Sequence, residues 1–133
     1  MEIEYKDTRQ IELDQIRALF ETVDWQVSRY PQKLVDALKH YSRLYTAWDG
    51  NKLVGLICSL DDGGITAYIH YLLVHPEYQR RGIGKTLLHK MLEDYRDYLR
   101  IELLADGSAV SYYIGEKFEK IDAVAMCRKN PGF

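Results

Sequence analysis

Sulfur is scarce in this chain. Only two cysteines occur in 133 residues, Cys58 and Cys127, and neither belongs to a CxxC pair or to a Cys/His pair with zinc spacing. A disulfide scaffold and a zinc site are therefore not what organises the fold. Each cysteine lies in an apolar, strand-like run, LVGLICSL and DAVAMC, and reads as a small buried core residue in a reduced compartment. With 3 prolines and 9 glycines, collagen-like and low-complexity readings drop out. No apolar run approaches the ~20 residues a membrane-spanning helix needs. No basic segment followed by an apolar stretch comes after Met1, so no secretory leader is expected. Neither sign of charge dominates: 18 basic residues face 20 acidic ones, for a net charge of −2. That balance gives no general attraction to nucleic acid or to anionic membranes, so any anion site must be local. The expectation is a soluble, cytoplasmic protein with neither nucleic acid nor membrane as a partner.

What is present is ordinary globular material, 47% hydrophobic and 29% charged. A chain of this length suits one domain, expected over residues 1–133, and buries roughly two-thirds of its unfolded surface without a metal or disulfide. The outlier is tyrosine, with 11 copies.

Periodicity orders the elements. Ile3 and Tyr5 alternate with Glu2 and Glu4 as in a short half-buried strand, and Ile11, Ile16, Leu19, Phe20 and Val23 recur at helical spacing. A loop from Asp24 to Tyr30 carries Trp25. Pro31 suits the first turn of a second helix with Leu34, Val35, Leu38 and Tyr41 on one face. Strand runs at Leu44–Trp48 and Lys52–Leu60 flank the turn Asp49-Gly50-Asn51, and a second turn, Asp61 to Gly64, leads into Ile65–Val74. That last run is almost wholly apolar or aromatic and reads as a central strand covered on both faces. Its alternation puts Tyr68, His70 and Leu72 on one face unless a bulge shifts the register. A third helix carries Ile83, Leu87, Leu88, Met91, Leu92 and Tyr95, followed by a strand over Leu99–Leu104. Asp106 or Ser108 caps a short helix through Gly115, and a final strand is expected over Phe118–Cys127. The fold class is mixed α/β, a mostly antiparallel sheet with helices on both faces and one parallel βαβ crossover through the third helix.

The segment richest in chemistry is Val74-His75-Pro76-Glu77-Tyr78-Gln79-Arg80-Arg81-Gly82-Ile83-Gly84-Lys85-Thr86. It is a strand end, a turn, and two glycines opening a helix. Glycine admits close backbone approach, the helix start offers unpaired N–H groups, and Arg80, Arg81 and Lys85 add positive charge. Such a device binds phosphate. A P-loop would need glycine where Gln79 stands, and a dinucleotide fingerprint would need it where Leu87 stands, so both fit poorly.

The pattern [QR]-x-x-G-x-[GA] is filled at every position by Gln79-Arg80-Arg81-Gly82-Ile83-Gly84. Together with the strand before it and the helix after it, this segment resembles the acetyl-CoA-binding motif of the GNAT superfamily of N-acetyltransferases. The resemblance implies that acetyl-CoA is the cosubstrate and that no metal is used. It implies that Gln79, Arg80, Arg81, Gly82, Ile83, Gly84, Lys85 and Thr86 surround the pyrophosphate, and that backbone groups of Leu72, Leu73 and Val74 meet the pantetheine arm. The family's phrase A-x-x-[FY]-Y is similar to Ala109-Val110-Ser111-Tyr112-Tyr113, which implies Tyr113 as general acid for the leaving thiolate. The alternative for Tyr113 is a packed core ring with a satisfied hydroxyl. Asp106 stands where the family often has Asn in contact with CoA, and Lys117 where it often has Gly.

His70 is the titratable group of the Ile65–Val74 strand with an unperturbed pKa near neutrality. A histidine there is similar to that of arylalkylamine-type members, which implies a base acting through water; a hydrogen-bonded packing role weighs equally. His75 is expected to be exposed in its loop. By the same analogy Trp25 and Tyr30 lie near the acceptor, a small-molecule or peptide amine, while a role closing the core suits them as well. The function implied is transfer of an acetyl group from acetyl-CoA to a primary amine by direct attack. A non-catalytic acyl-CoA sensor of the same fold is the alternative. Dimers are common in the family, but no residue pattern here shows an interface.

Overall fold

The apolar strands between Leu44 and Val74 form an antiparallel meander. The computed structural model describes residues 2–133 and falls into two compact units, one running through Glu102 and the other from Leu103 to Phe133. Strands β1 (Glu4–Lys6), β2 (Arg43–Asp49), β3 (Lys52–Asp61), β4 (Thr66–Val74) and β5 (Arg100–Leu103) lie in that order in one sheet. Neighbours are antiparallel from β1 to β4, and β5 runs parallel to β4. Between these two lies helix α3 (Ile83–Asp94), the expected crossover. Gly50 sits at φ 58° in the β2–β3 turn, a conformation that favours glycine. Helix α1 (Leu13–Phe20) clamps that hairpin: Gln15 Nε2 donates to Asn51 O at 2.9 Å while its Oε1 accepts from Leu53 N at 2.9 Å.

β3 is the buried strand, with Leu53 through Ser59 all buried. Its alternation splits the core. Leu56 and Cys58 pack with Ile16, Leu19 and Phe20 of α1 and with Leu34 and Leu38 of α2 (Pro31–Leu38). Gly55, on the other face, lies under Ile83 and Leu87 of α3, where a Cβ would come within 3.2 Å of Leu73 O. A side chain there would push α3 off the sheet. At the far end of the same face, the buried Ser59 Oγ and Tyr95 hydroxyl lie 2.6 Å apart. Tyr95 also donates to Asp61 at 2.7 Å, and Tyr98 donates to the same carboxylate at 3.0 Å.

Three expectations need correction. Tyr41 is not on α2, which ends at Leu38; His40 N and Tyr41 N still reach back to Ala37 O as the chain turns away. No strand forms over Phe118–Cys127: the described backbone there has no ladder partner, and Ile121, Val124 and Met126 are exposed. An apolar run becomes a strand only where another strand pairs with it. Cys127, expected in the core, is consequently exposed, whereas Cys58 is buried. The second unit holds helix α4 (Val110–Gly115), shorter than each α-helix of the first. No helix among the described residues is long and apolar enough to cross a membrane.

Candidate active site

Between β4 and α3 the chain makes a turn that its own side chains tie down. Gln79 Nε2 donates to Val74 O at 3.1 Å, fastening the loop to the strand it left. His75 Nδ1 accepts from Glu77 N at 3.1 Å, and the half-buried His75, expected to be exposed, packs edge-on against Tyr78. Tyr78 donates to Asp49 at 2.6 Å and carries the Arg81 guanidinium over its ring. Arg80 and Gly82 both take positive φ, 64° and 80°, which turns the backbone sharply into the helix.

Thr86 N makes the first helical bond, to Gly82 O at 3.0 Å, so the N–H groups of Ile83, Gly84 and Lys85 point out of the helix start. Thr86 Oγ1 donates to the same carbonyl at 2.9 Å. A Cβ placed on Gly84 would meet only Val74 Cγ2, at 3.6 Å, and one on Gly82 would meet nothing within 4 Å. Packing therefore demands neither glycine's small size. The bare backbone leaves an open approach to these donors, with the exposed Arg80, Arg81 and Lys85 beside it, and the arrangement fits an anionic diphosphate.

On the opposite face of β4 the register breaks. Cys58 pairs with Tyr71 but Ser59 pairs with Ile69, so His70 is the extra residue of a bulge. The bulge places His70 and Tyr71 on the same side, with rings stacked at 4.0 Å. Tyr68 lies 5.6 Å from the His70 ring, and Tyr71 stacks on Trp25 at 5.5 Å and meets Phe20 edge-on at 5.8 Å. The expected sharing of a face by Tyr68, His70 and Leu72 thus holds for the first two. After the bulge Tyr71 and Leu73 take that face and join the core cluster under α1 and α2. Val74, in phase with Leu72, turns toward Gly84.

Tyr41 completes the group, its hydroxyl 2.6 Å from His70 Nδ1. His70 keeps an exposed edge, yet the flanking rings withdraw water and lower its pKa, so it is neutral at neutral pH. Burial, the Cys58 thiol and Tyr71 push the Tyr41 hydroxyl far above the usual tyrosine range. Burial also pushes the Cys58 thiol up to about 12, which removes its nucleophilic form. Trp25 is therefore brought to the His70 neighbourhood. Tyr30, half-buried, precedes the first turn of α2. Sequence reasoning did not single out Tyr41 or Tyr71 for this site; only the tyrosine excess hinted at them.

Within the second unit, Asp106 Oδ1 accepts from Ser108 N at 2.9 Å and from Ala109 N at 3.2 Å, so its carboxylate is engaged in the turn before α4. Tyr113 on α4 is half-buried between Tyr112 and Phe118, 5.2 and 5.5 Å away centre to centre. Burial raises its pKa, which keeps the hydroxyl protonated and able to donate. Among the described residues no group of three or more His, Cys, Asp or Glu side chains is arranged to hold a metal ion.

The model of the acetyltransferase (GNAT) family matches residues 10–116. An uncharacterized N-acetyltransferase, ycf52, from Porphyra purpurea is 32% identical over 122 residues, covering 84% of this chain and 70% of that protein. Histone acetyltransferase TAP1 of Glycine max is 32% identical over 82% of this chain and 52% of its own length. Among solved structures, a GNAT family acetyltransferase from Streptococcus pneumoniae superposes with a TM-score of 0.83 at 29% identity, over 98% of this chain and 99% of that one. The PaiA N-acetyltransferase of Thermoplasma acidophilum, in complex with coenzyme A, shares the fold at 19% identity, with a TM-score of 0.75 over 93% of this chain and 94% of its own.

Proposed function

Since the chain belongs to the GNAT acetyltransferase family, we propose that it transfers an acetyl group from acetyl-CoA to a primary amine by direct attack, within one acetyltransferase domain over residues 1–133. The observation that carries this is the start of α3: three outward N–H groups, two glycines whose missing side chains no packing requires, and three cations. Gln79 shapes the loop, and Arg80 through Thr86 surround the diphosphate. Leu72, Leu73 and Val74 offer β4 backbone to the pantetheine arm. The complex of PaiA with coenzyme A supports this choice of ligand.

Acetyl-CoA supplies the activated thioester. The chain's own residues then manage protons. His70, neutral and at the edge of the aromatic group, accepts the acceptor's proton directly or through water. Tyr113 donates to the departing thiolate. Trp25 and Tyr30 line the acceptor's approach, and the acceptor is a small molecule or a peptide. An acetyl-cysteine route through Cys58 is opposed by its burial and its raised pKa.

Initial rates measured over a grid of acetyl-CoA and amine concentrations test direct attack. Intersecting double-reciprocal lines are expected, and parallel lines with an isolable acetyl-enzyme would refute it.

A further inference from the structure

The bulged histidine has a partner whose purpose packing alone does not explain. We propose that Tyr41 is a positioning residue: its hydroxyl holds His70 Nδ1, so that Nε2 is the nitrogen that takes the acceptor's proton. The proposal rests on the reading of His70 as the base.

Tyr41 is held from several sides. Arg9 donates to the carbonyls of Tyr41 and, at 3.0 Å, Ser42, and Ser42 N donates to Ser59 O at 2.8 Å. Tyr41 is 7% exposed. Its hydroxyl lies 2.6 Å from Nδ1. The titratable groups facing His70 are thus Tyr41 from the turn after α2, Cys58 from β3, and Tyr68 and Tyr71 from β4. None carries charge at neutral pH, and burial lowers the His70 pKa.

Neutral His70 carries one ring proton, and a free lone pair on Nε2 requires that proton on Nδ1, donated to the Tyr41 oxygen. As the amine N–H bond breaks and an Nε2–H bond forms, the ring becomes imidazolium and both of its nitrogens are donors. Nδ1–H keeps its bond to the Tyr41 oxygen, which strengthens as the ring becomes charged, and the phenolic proton stays on that oxygen throughout. Nε2 afterwards returns its proton to water. Without the hydroxyl, the charged ring loses its acceptor on the buried side.

The test is ¹⁵N NMR titration of His70 in the free protein, parent against Tyr41→Phe, alongside the pH–rate profile. A hydrogen bond to the charged ring is worth more than one to the neutral ring, so the His70 pKa should fall by about 0.5–1 unit in Tyr41→Phe. The acidic limb of the rate profile should move equally, with the KM for acetyl-CoA unchanged. A merely structural Tyr41 would lower the melting temperature and leave the pKa and the tautomer signals in place; that result overturns the proposal. If Tyr41→Phe does not fold, the ¹⁵N shifts of the parent decide: neutral His70 should carry its proton on Nδ1, and a neutral ring protonated on Nε2 overturns the proposal. An unchanged rate profile in His70→Ala overturns the base role itself. The two failures are separable because the NMR titration needs no turnover.

Discussion

Replacing Gly84 by valine separates what the α3 start does for the fold from what it does for a ligand. In the folded chain the new Cβ meets only Val74 Cγ2, at 3.6 Å, an ordinary contact. Leaving glycine inside a helix gains roughly 0.3–0.5 kcal/mol even for a β-branched residue. The branched methyls crowd Val74 and offset part of that gain, so stability should change by less than about 1 kcal/mol. Binding should respond differently. The valine side chain stands where the diphosphate must approach the N–H groups of Ile83, Gly84 and Lys85. Losing one charge-assisted hydrogen bond costs about 1.5–3 kcal/mol, or roughly 10- to 100-fold in Kd. Gly84→Ala is the control, because the motif tolerates alanine and one methyl group leaves most of the approach open. Calorimetric titration with acetyl-CoA, paired with thermal melts of the free proteins, reads both quantities. A folded Gly84→Val that binds acetyl-CoA like the parent would refute the loop assignment.

Three further outcomes are expected. Tyr113→Phe keeps the ring and removes the proton donor, and a positioned acid contributes ~10²–10⁴-fold. Single-turnover acetyl transfer should fall at least ~10-fold at near-constant acetyl-CoA affinity; parent-like rates in a folded variant would exclude Tyr113 as the acid. His70→Ala should lower turnover and abolish the acidic limb of the rate profile, which pH-dependent kinetics at saturating acetyl-CoA will show. For Asp61, burial alone would raise the pKa, but hydrogen bonds from Tyr95, Tyr98 and Gly63 N outweigh it and hold the carboxyl below its usual value. A depressed folded pKa stabilises above the unfolded value and is lost as pH falls through the folded one. The stability gap between parent and Tyr95→Phe, from urea melts, should therefore narrow as pH drops below about 4; a gap independent of pH would contradict this.

Local patterns were readable and distant contacts were not. Gln79 through Thr86 could be read directly because a turn, two glycines and a helix start are contiguous, and the bonds that shape them span at most five residues. The antiparallel order followed from the Gly50 and Gly63 turns. His70 was visible as a strand histidine, but its contact with Tyr41 crosses 29 residues and depends on a bulge. Strict alternation cannot reveal a bulge, because the extra residue leaves the sequence pattern locally intact. Tyr41 extended the Leu34, Leu38 helical period by one more step, yet its backbone is captured by Arg9 instead. The run Phe118–Cys127 has the composition of a strand, but strand formation needs a partner that composition does not encode.

The central claim is acetyl transfer, and the most direct measurement is free-thiol release from acetyl-CoA across a panel of primary amines, with mass spectrometry of each amine. Amine-dependent thiol release is expected, with one acetyl group gained by at least one acceptor. Acetyl-CoA binding with no amine acetylated would contradict it and leave a sensor of the same fold.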